Sequence, residues 1–131
     1  MTRSFPLPGG ELEYAVLSAL WEFNRASARE IYSRVGEPNG LVYTTVAKVL
    51  DRLFAKKLVL RERKGKAFVY RPGVAREVVE RARAERTLAS LFGAAPRPAM
   101  AALVDAVESI DPELLDELAS AIRRRRNSRG S

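Results

Sequence analysis

The hydrophobic period of this chain changes after Lys57, and that change restricts the folds open to it. Up to Lys57 the apolar residues recur every three or four positions, and from Leu58 they alternate. Helices are therefore expected first and strands after them. In VYTTVAKVLDRLFAKK, residues 42–57, Val42, Val46, Val49, Leu50 and Leu53 form one helical face. The opposite face carries Thr44, Thr45, Lys48, Arg52 and Lys56. Two helical segments precede this one. Glu11–Phe23 carries the stripe Leu12, Val16, Leu17, Leu20 and Trp21. Ser27–Val35 opens with a Ser27/Glu30 capping box, in which each residue satisfies the other's free amide. The turn GEPNG, residues 36–40, separates it from the third helix.

Beyond Lys57, Val59, Arg61 and Arg63 alternate with Leu58, Leu60 and Glu62, and Ala67–Tyr70 is rich in strand formers. Lys64-Gly65-Lys66 between the two runs predicts a β-hairpin, which Pro72-Gly73 ends. Three helices followed by a basic-tipped hairpin is the order of a winged helix-turn-helix. The fold expected is mainly α with a small β-hairpin.

The rest of the chain reads as helix. Val74–Leu91 has Val78, Val79, Ala82, Leu88 and Leu91 as its apolar positions, and residues 92–98 break it. Ala99–Ser109 predicts a further helix, and Asp111-Pro112-Glu113 begins a last one with the stripe Leu114, Leu115, Leu118 and Ile122. These stripes lie outside the main core and need cover. A second copy of the chain would supply it, through Val78, Leu88, Leu91, Leu114, Leu115, Leu118 and Ile122. The competing reading folds the helices back on their own domain. The organisation expected is an N-terminal tail (1–9), a winged helix-turn-helix domain (10–73), a helical dimerisation region (74–122) and a basic disordered tail (123–131).

Missing residue types narrow the chemistry. With no cysteine there is no disulfide, thiolate site or cysteine nucleophile, and with no histidine the commonest general base and zinc ligand are gone. No P-loop or dinucleotide-binding glycine pattern occurs. The reading is that the chain is not an enzyme and holds no cofactor and no metal. No run approaches the ~20 apolar residues of a membrane helix. The start, MTRSFPLPGGELE, has no apolar export segment, so a cytoplasmic location and no membrane partner are expected.

Twenty-three Lys and Arg against 16 Asp and Glu give a net charge of +7, which favours polyanionic partners. Part of the excess is the tail RRRRNSRG, a weak signal. The face of the third helix is more informative. Thr44 and Thr45, near its start, suit a phosphate or a base edge. Ala47 would admit a thymine methyl, Lys48 reaches a guanine edge or a phosphate, and Arg52 suits backbone or bidentate contact. Tyr43 either packs under the helix or touches phosphate. Lys64 and Lys66, at the hairpin tip, would lie near the DNA backbone or minor groove. Trp21, Tyr32, Phe54 and Met100 read as packing residues.

Glu11-Leu12-Glu13, Val16-Leu17, Leu20-Trp21, the run TVAKVLDRLFAKKLV (residues 45–59) and FVYRP ending at Pro72 together resemble the BlaI/MecI penicillinase-repressor family. The resemblance covers residues 10–71 well and the C-terminal helices loosely. It implies a homodimeric winged-helix transcriptional repressor bound to a palindromic double-stranded DNA operator, with C-terminal helices forming the dimer. It places Thr44, Thr45, Ala47, Lys48 and Arg52 on the recognition helix and Lys64 to Lys66 on the wing. There are departures. Lys57 stands where family members often have glycine, and LVDAVE, residues 103–108, has Asp105-Ala106 where some members are cleaved at Asn-Phe. The cysteine cluster of copper-responsive members is absent. A regulatory protease or an unidentified effector is thus the open question among partners. The alternatives to a repressor of this kind are a ligand-responsive winged-helix regulator and a winged-helix protein-interaction module.

Overall fold

A computed structural model of the chain describes residues 7–130, so residues 1–6 of the expected N-terminal tail and Ser131 lie outside the described residues. The order is α1 (Glu11–Phe23), β1 (Ala26–Ser27), α2 (Ala28–Ile31), α3 (Tyr43–Ala55), β2 (Val59–Lys64), β3 (Ala67–Pro72), α4 (Arg76–Phe92), α5 (Pro96–Ile110) and α6 (Pro112–Arg129). The chain divides into two compact units, one ending at Glu85 and the other beginning at Arg86.

The first unit is a winged helix-turn-helix. Leu17 and Leu20 of α1, Ile31 of α2, and Val46, Val49, Leu50 and Leu53 of α3 are fully buried together with Leu58 and Val59. The capping box at Ser27 forms as the sequence predicts: the Glu30 amide donates to Ser27 Oγ (3.1 Å) and the Ser27 amide to Glu30 Oε1 (2.9 Å). After Ile31 the chain widens into a π-helical turn, Tyr32–Gly36, and then tightens into a 3-10 turn, Glu37–Asn39. Gly36 is required there by proximity, because a Cβ would stand 2.9 Å from Val46 Cγ2 and closer still to the Tyr32 ring.

The sheet has order β1-β3-β2 and is antiparallel throughout. The β2–β3 hairpin is the predicted one, with Lys64 paired to Ala67 across a turn in which Gly65 takes φ +64°. Strand β1 adds a third member, pairing Ala26 with Tyr70 and Ser27 with Val69. At two residues it is too short to leave a periodic signal.

Several boundaries differ from the sequence reading. Val42 is not on the buried face of α3; it is the extended N-cap residue and is exposed. Phe54 is exposed rather than in the core, as is Met100. The end of α3 is a Schellman motif: the Lys57 amide donates to the Phe54 carbonyl and the Leu58 amide to the Leu53 carbonyl, both at 3.0 Å. Lys57 occupies its left-handed position, with φ +65°, so the cap persists without glycine. Leu7 packs on the core and its carbonyl accepts from Lys56 Nζ, so residues 7–9 are anchored rather than a free tail.

The first unit also runs past Gly73 into α4. Val79 is fully buried, Trp21 Nε1 donates to the Val74 carbonyl (2.9 Å), and the Tyr14 hydroxyl donates to the Glu80 carboxylate (2.9 Å). Arg83 lies 3.7 Å over the Tyr14 ring, and its hydrogen bond is the main cause holding Glu80 below the ordinary carboxylate range.

In the second unit α5 and α6 pack on each other. Asp111 Oδ1 caps α6 by accepting from the Glu113 amide (3.0 Å). The expected disordered end is instead helical: α6 continues through Arg123–Arg126 to Arg129. Arginine is a good helix former, and positive charge near a helix C-terminus is favourable. The site of Asp105-Ala106 lies within α5, with both residues exposed.

Candidate DNA-binding face

Helix α3 has two faces with different fates. Val46, Val49, Leu50 and Leu53 are buried, whereas Thr44, Lys48 and Arg52 point to solvent, with Thr45 and Ala47 half-buried between them. No side chain caps the N-terminus of α3. The Thr45 amide bonds back to the Val42 carbonyl (3.1 Å), leaving the Tyr43 and Thr44 amides of the first turn for an acceptor from outside. Lys48 has no hydrogen-bond or ion-pair partner among the described residues.

The wing meets this helix across an open groove of about 270 Å³. Ala47, Tyr43 and Asp51 line one side, Lys66, Ala67 and Phe68 the other, and Ser27 and Arg29 the end. The structure thus brings Ala47 and Lys66, distant in sequence, to one feature. Lys64 is exposed at the hairpin tip, 3.9 Å from the Glu62 carboxylate, and does not line the groove. Tyr43 packs: its ring lies edge-on to Tyr32 (5.7 Å) with Arg29 4.9 Å over it.

Three residues that set this face were given no role from sequence, although Glu13 belongs to the Glu11-Leu12-Glu13 run that carries the family resemblance. Glu13 of α1 is buried and grips the end of α3. Its Oε1 accepts from Lys56 Nζ (2.7 Å) and the Gly9 amide (2.9 Å), and its Oε2 from Arg52 Nε (3.1 Å). Burial pushes the Glu13 carboxyl up, but the hydrogen bonds from Lys56, Gly9 and Arg52 outweigh it, and the group titrates below its ordinary value. Arg52 is consequently half committed, its Nε to Glu13 while the side chain stays 54% exposed. Arg61 of β2 fixes the wing. It is sandwiched between Phe54 of α3 (4.0 Å) and Phe68 of β3 (4.3 Å) and paired with Asp51 (3.0 Å). Arg29 is the third. Each is a charged residue whose partner is remote in sequence, so no local pattern gives its role.

The penicillinase repressor family matches residues 9–124. The chain belongs to this family. It is accordingly a DNA-binding transcriptional repressor of the BlaI type, with a winged helix. The chain is 33% identical over 114 residues to transcriptional regulator BlaI of Mycobacterium tuberculosis, covering 86% of this chain and 81% of that one. Among solved structures, the DNA-binding domain of the repressor BlaI matches with a TM-score of 0.49 at 20% identity, over 56% of this chain and 90% of that one. The PcaV transcriptional regulator of Streptomyces coelicolor, in complex with its natural ligand, matches with a TM-score of 0.46 at 20% identity, over 89% of this chain and 76% of that one. Among the described residues no helix is long and apolar enough to cross a membrane, and no group of acidic residues is arranged to hold a metal.

Proposed function

We propose that this repressor acts as a homodimer on an inverted-repeat operator, each subunit laying α3 in a major groove with the wing on the flanking backbone. The observation that carries the reading is the division of α3: one face locked into the core, the other offering Thr44, Thr45, Ala47, Lys48 and Arg52, with Lys66 across the groove. Small hydroxyls at the helix start and cations one and two turns later match a helix entered from its N-terminal end. Ala47 is the position for a thymine methyl and Lys48 for a guanine edge or phosphate. Lys64 and Lys66 would serve the backbone.

The dimer follows from surface that a single chain leaves uncovered. Among described residues 86–130 none is buried, and Leu91, Leu114 and Ile122 are 43%, 41% and 48% exposed. Leu88, Leu115 and Leu118 are half-buried, and Val78, in the first unit, is 46% exposed. Such stripes are the ordinary material of a self-complementary interface.

The test is selection of bound genomic fragments by the purified protein, followed by titration of the recovered site. One inverted repeat is expected. Lys48→Ala should weaken its binding by about 1–3 kcal/mol if Lys48 contacts a base. Diffuse binding with no preferred site, or an unaltered Lys48→Ala titration, would remove this face of α3 from specific recognition.

A further inference from the structure

We infer that two copies of α6 pair antiparallel, the acidic half of each lying against the arginine half of the other. The inference rests on the homodimer proposed above and specifies how its helices are matched.

The start of α6 and its cap carry Asp111, Glu113, Asp116 and Glu117, and its end carries Arg123, Arg124, Arg125, Arg126 and Arg129. No cation stands among the former and no acid among the latter. The centres of the two clusters are about 17 Å apart at 1.5 Å per residue. That is roughly twice the ~8 Å screening length at physiological salt, so neither cluster neutralises the other within one helix. Among the described residues no ion pair engages Glu113, Asp116, Glu117 or the arginines from 124 to 126.

The helix dipole accounts for only part of this segregation. Its influence fades within the first and last turns. Asp116 and Glu117 stand in the second turn, and Arg123 and Arg124 more than a turn from Arg129. The remaining charge is exposed and arranged to suit an outside partner of matching pattern. A parallel copy would stack acid on acid and arginine on arginine, whereas an antiparallel copy matches them end over end. The exposed apolar residues fit the same arrangement. Leu114 and Ile122 lie four residues either side of Leu118, on one face. With the two-fold axis at Leu118, Leu114 of each copy meets Ile122 of the other, and Asp111 meets Arg125.

The chain has no cysteine, so introduced thiols report pairing without background. Leu114→Cys and Ile122→Cys chains, each exposed at the altered position, are mixed, dissociated, reassociated and mildly oxidised. Antiparallel pairing predicts disulfide dimers in the mixture and almost none from either variant alone, where like positions lie about 12 Å apart along the axis. The dimer of the unaltered chain should also dissociate about tenfold more readily in 1 M than in 0.1 M salt, as screening shortens. Dimers in which each single variant crosslinks to itself would overturn the antiparallel arrangement and leave the homodimer standing. Dimers with no crosslink in any mixture would overturn pairing through α6. A chain sedimenting as a monomer at every concentration would overturn the homodimer itself.

Discussion

Replacing Lys57 with glycine should stabilise the protein although it removes a charge from a basic surface. Lys57 holds the left-handed position of the Schellman motif at φ +65°, and the Leu58 amide closes the motif on Leu53. A residue with a Cβ pays about 1–2 kcal/mol for this conformation. Glycine removes that cost but adds unfolded-state freedom worth about 0.4–1 kcal/mol. The Lys57 side chain is exposed and makes no hydrogen bond or ion pair among the described residues, so no contact is lost. The net gain is about 0.5–1 kcal/mol, or roughly 3–6 °C in Tm for a domain of this size. The assay is urea and thermal unfolding without DNA, at one fixed protein concentration because association raises Tm. Lys57→Ala is the control, since it removes the same charge while keeping the Cβ. If the glycine and alanine variants melt together, backbone strain at this position is not what limits the cap.

Glu13→Gln should cost about 1.5–3 kcal/mol near neutral pH, as a buried acceptor of charged donors loses its charge. The folded carboxyl titrates below its unfolded value, so its contribution is present above the unfolded pKa and lost as pH falls through the lowered one. Urea melts of variant and parent should therefore converge on acidification; a constant gap would sink the reasoning. Arg61→Met keeps the aliphatic stem but loses the cation over both rings and the pair with Asp51, and should lower stability by about 1–2 kcal/mol. It should also weaken operator binding, with partial recovery in Arg61→Lys; an operator titration identical to the parent's would show that the clamp does not position the wing. Gly36→Ala should destabilise by about 1–3 kcal/mol through overpacking against Tyr32 and Val46, read as a lower urea midpoint.

Local pattern carried the helices, the hairpin and the exposed face of α3, because burial on one side of a helix writes itself into spacing. What pattern missed are pairings between distant residues. Phe54 looked like core because it is aromatic; Arg61, seven residues on, makes it a platform at the surface. Glu13 stands in the Glu11-Leu12-Glu13 run that carries the family resemblance, but its role shows only when the fold brings Arg52 and Lys56 to it. Strand β1 owes its existence to β3, more than forty residues later, and not to its own two residues. The arginine run looked like a disordered tail because charge runs usually do, yet it continues a well-capped helix. Gly73 marked a plausible boundary, but Val79 and Glu80 tie the following turns of α4 to the first unit.

The seam beneath that part of α4 has an optical consequence. The chain's single tryptophan, Trp21, donates to Val74, stands edge-on to Tyr14 at 6.2 Å, and has Arg76 5.1 Å over its ring. Two of those partners, Val74 and Arg76, lie at the entrance to α4. Trp21 fluorescence therefore reports on the joint between α4 and the winged helix, not on the molecule at large. A spectral change preceding the loss of far-ultraviolet helix signal on heating would time the release of α4 from the body that binds DNA, without an added label.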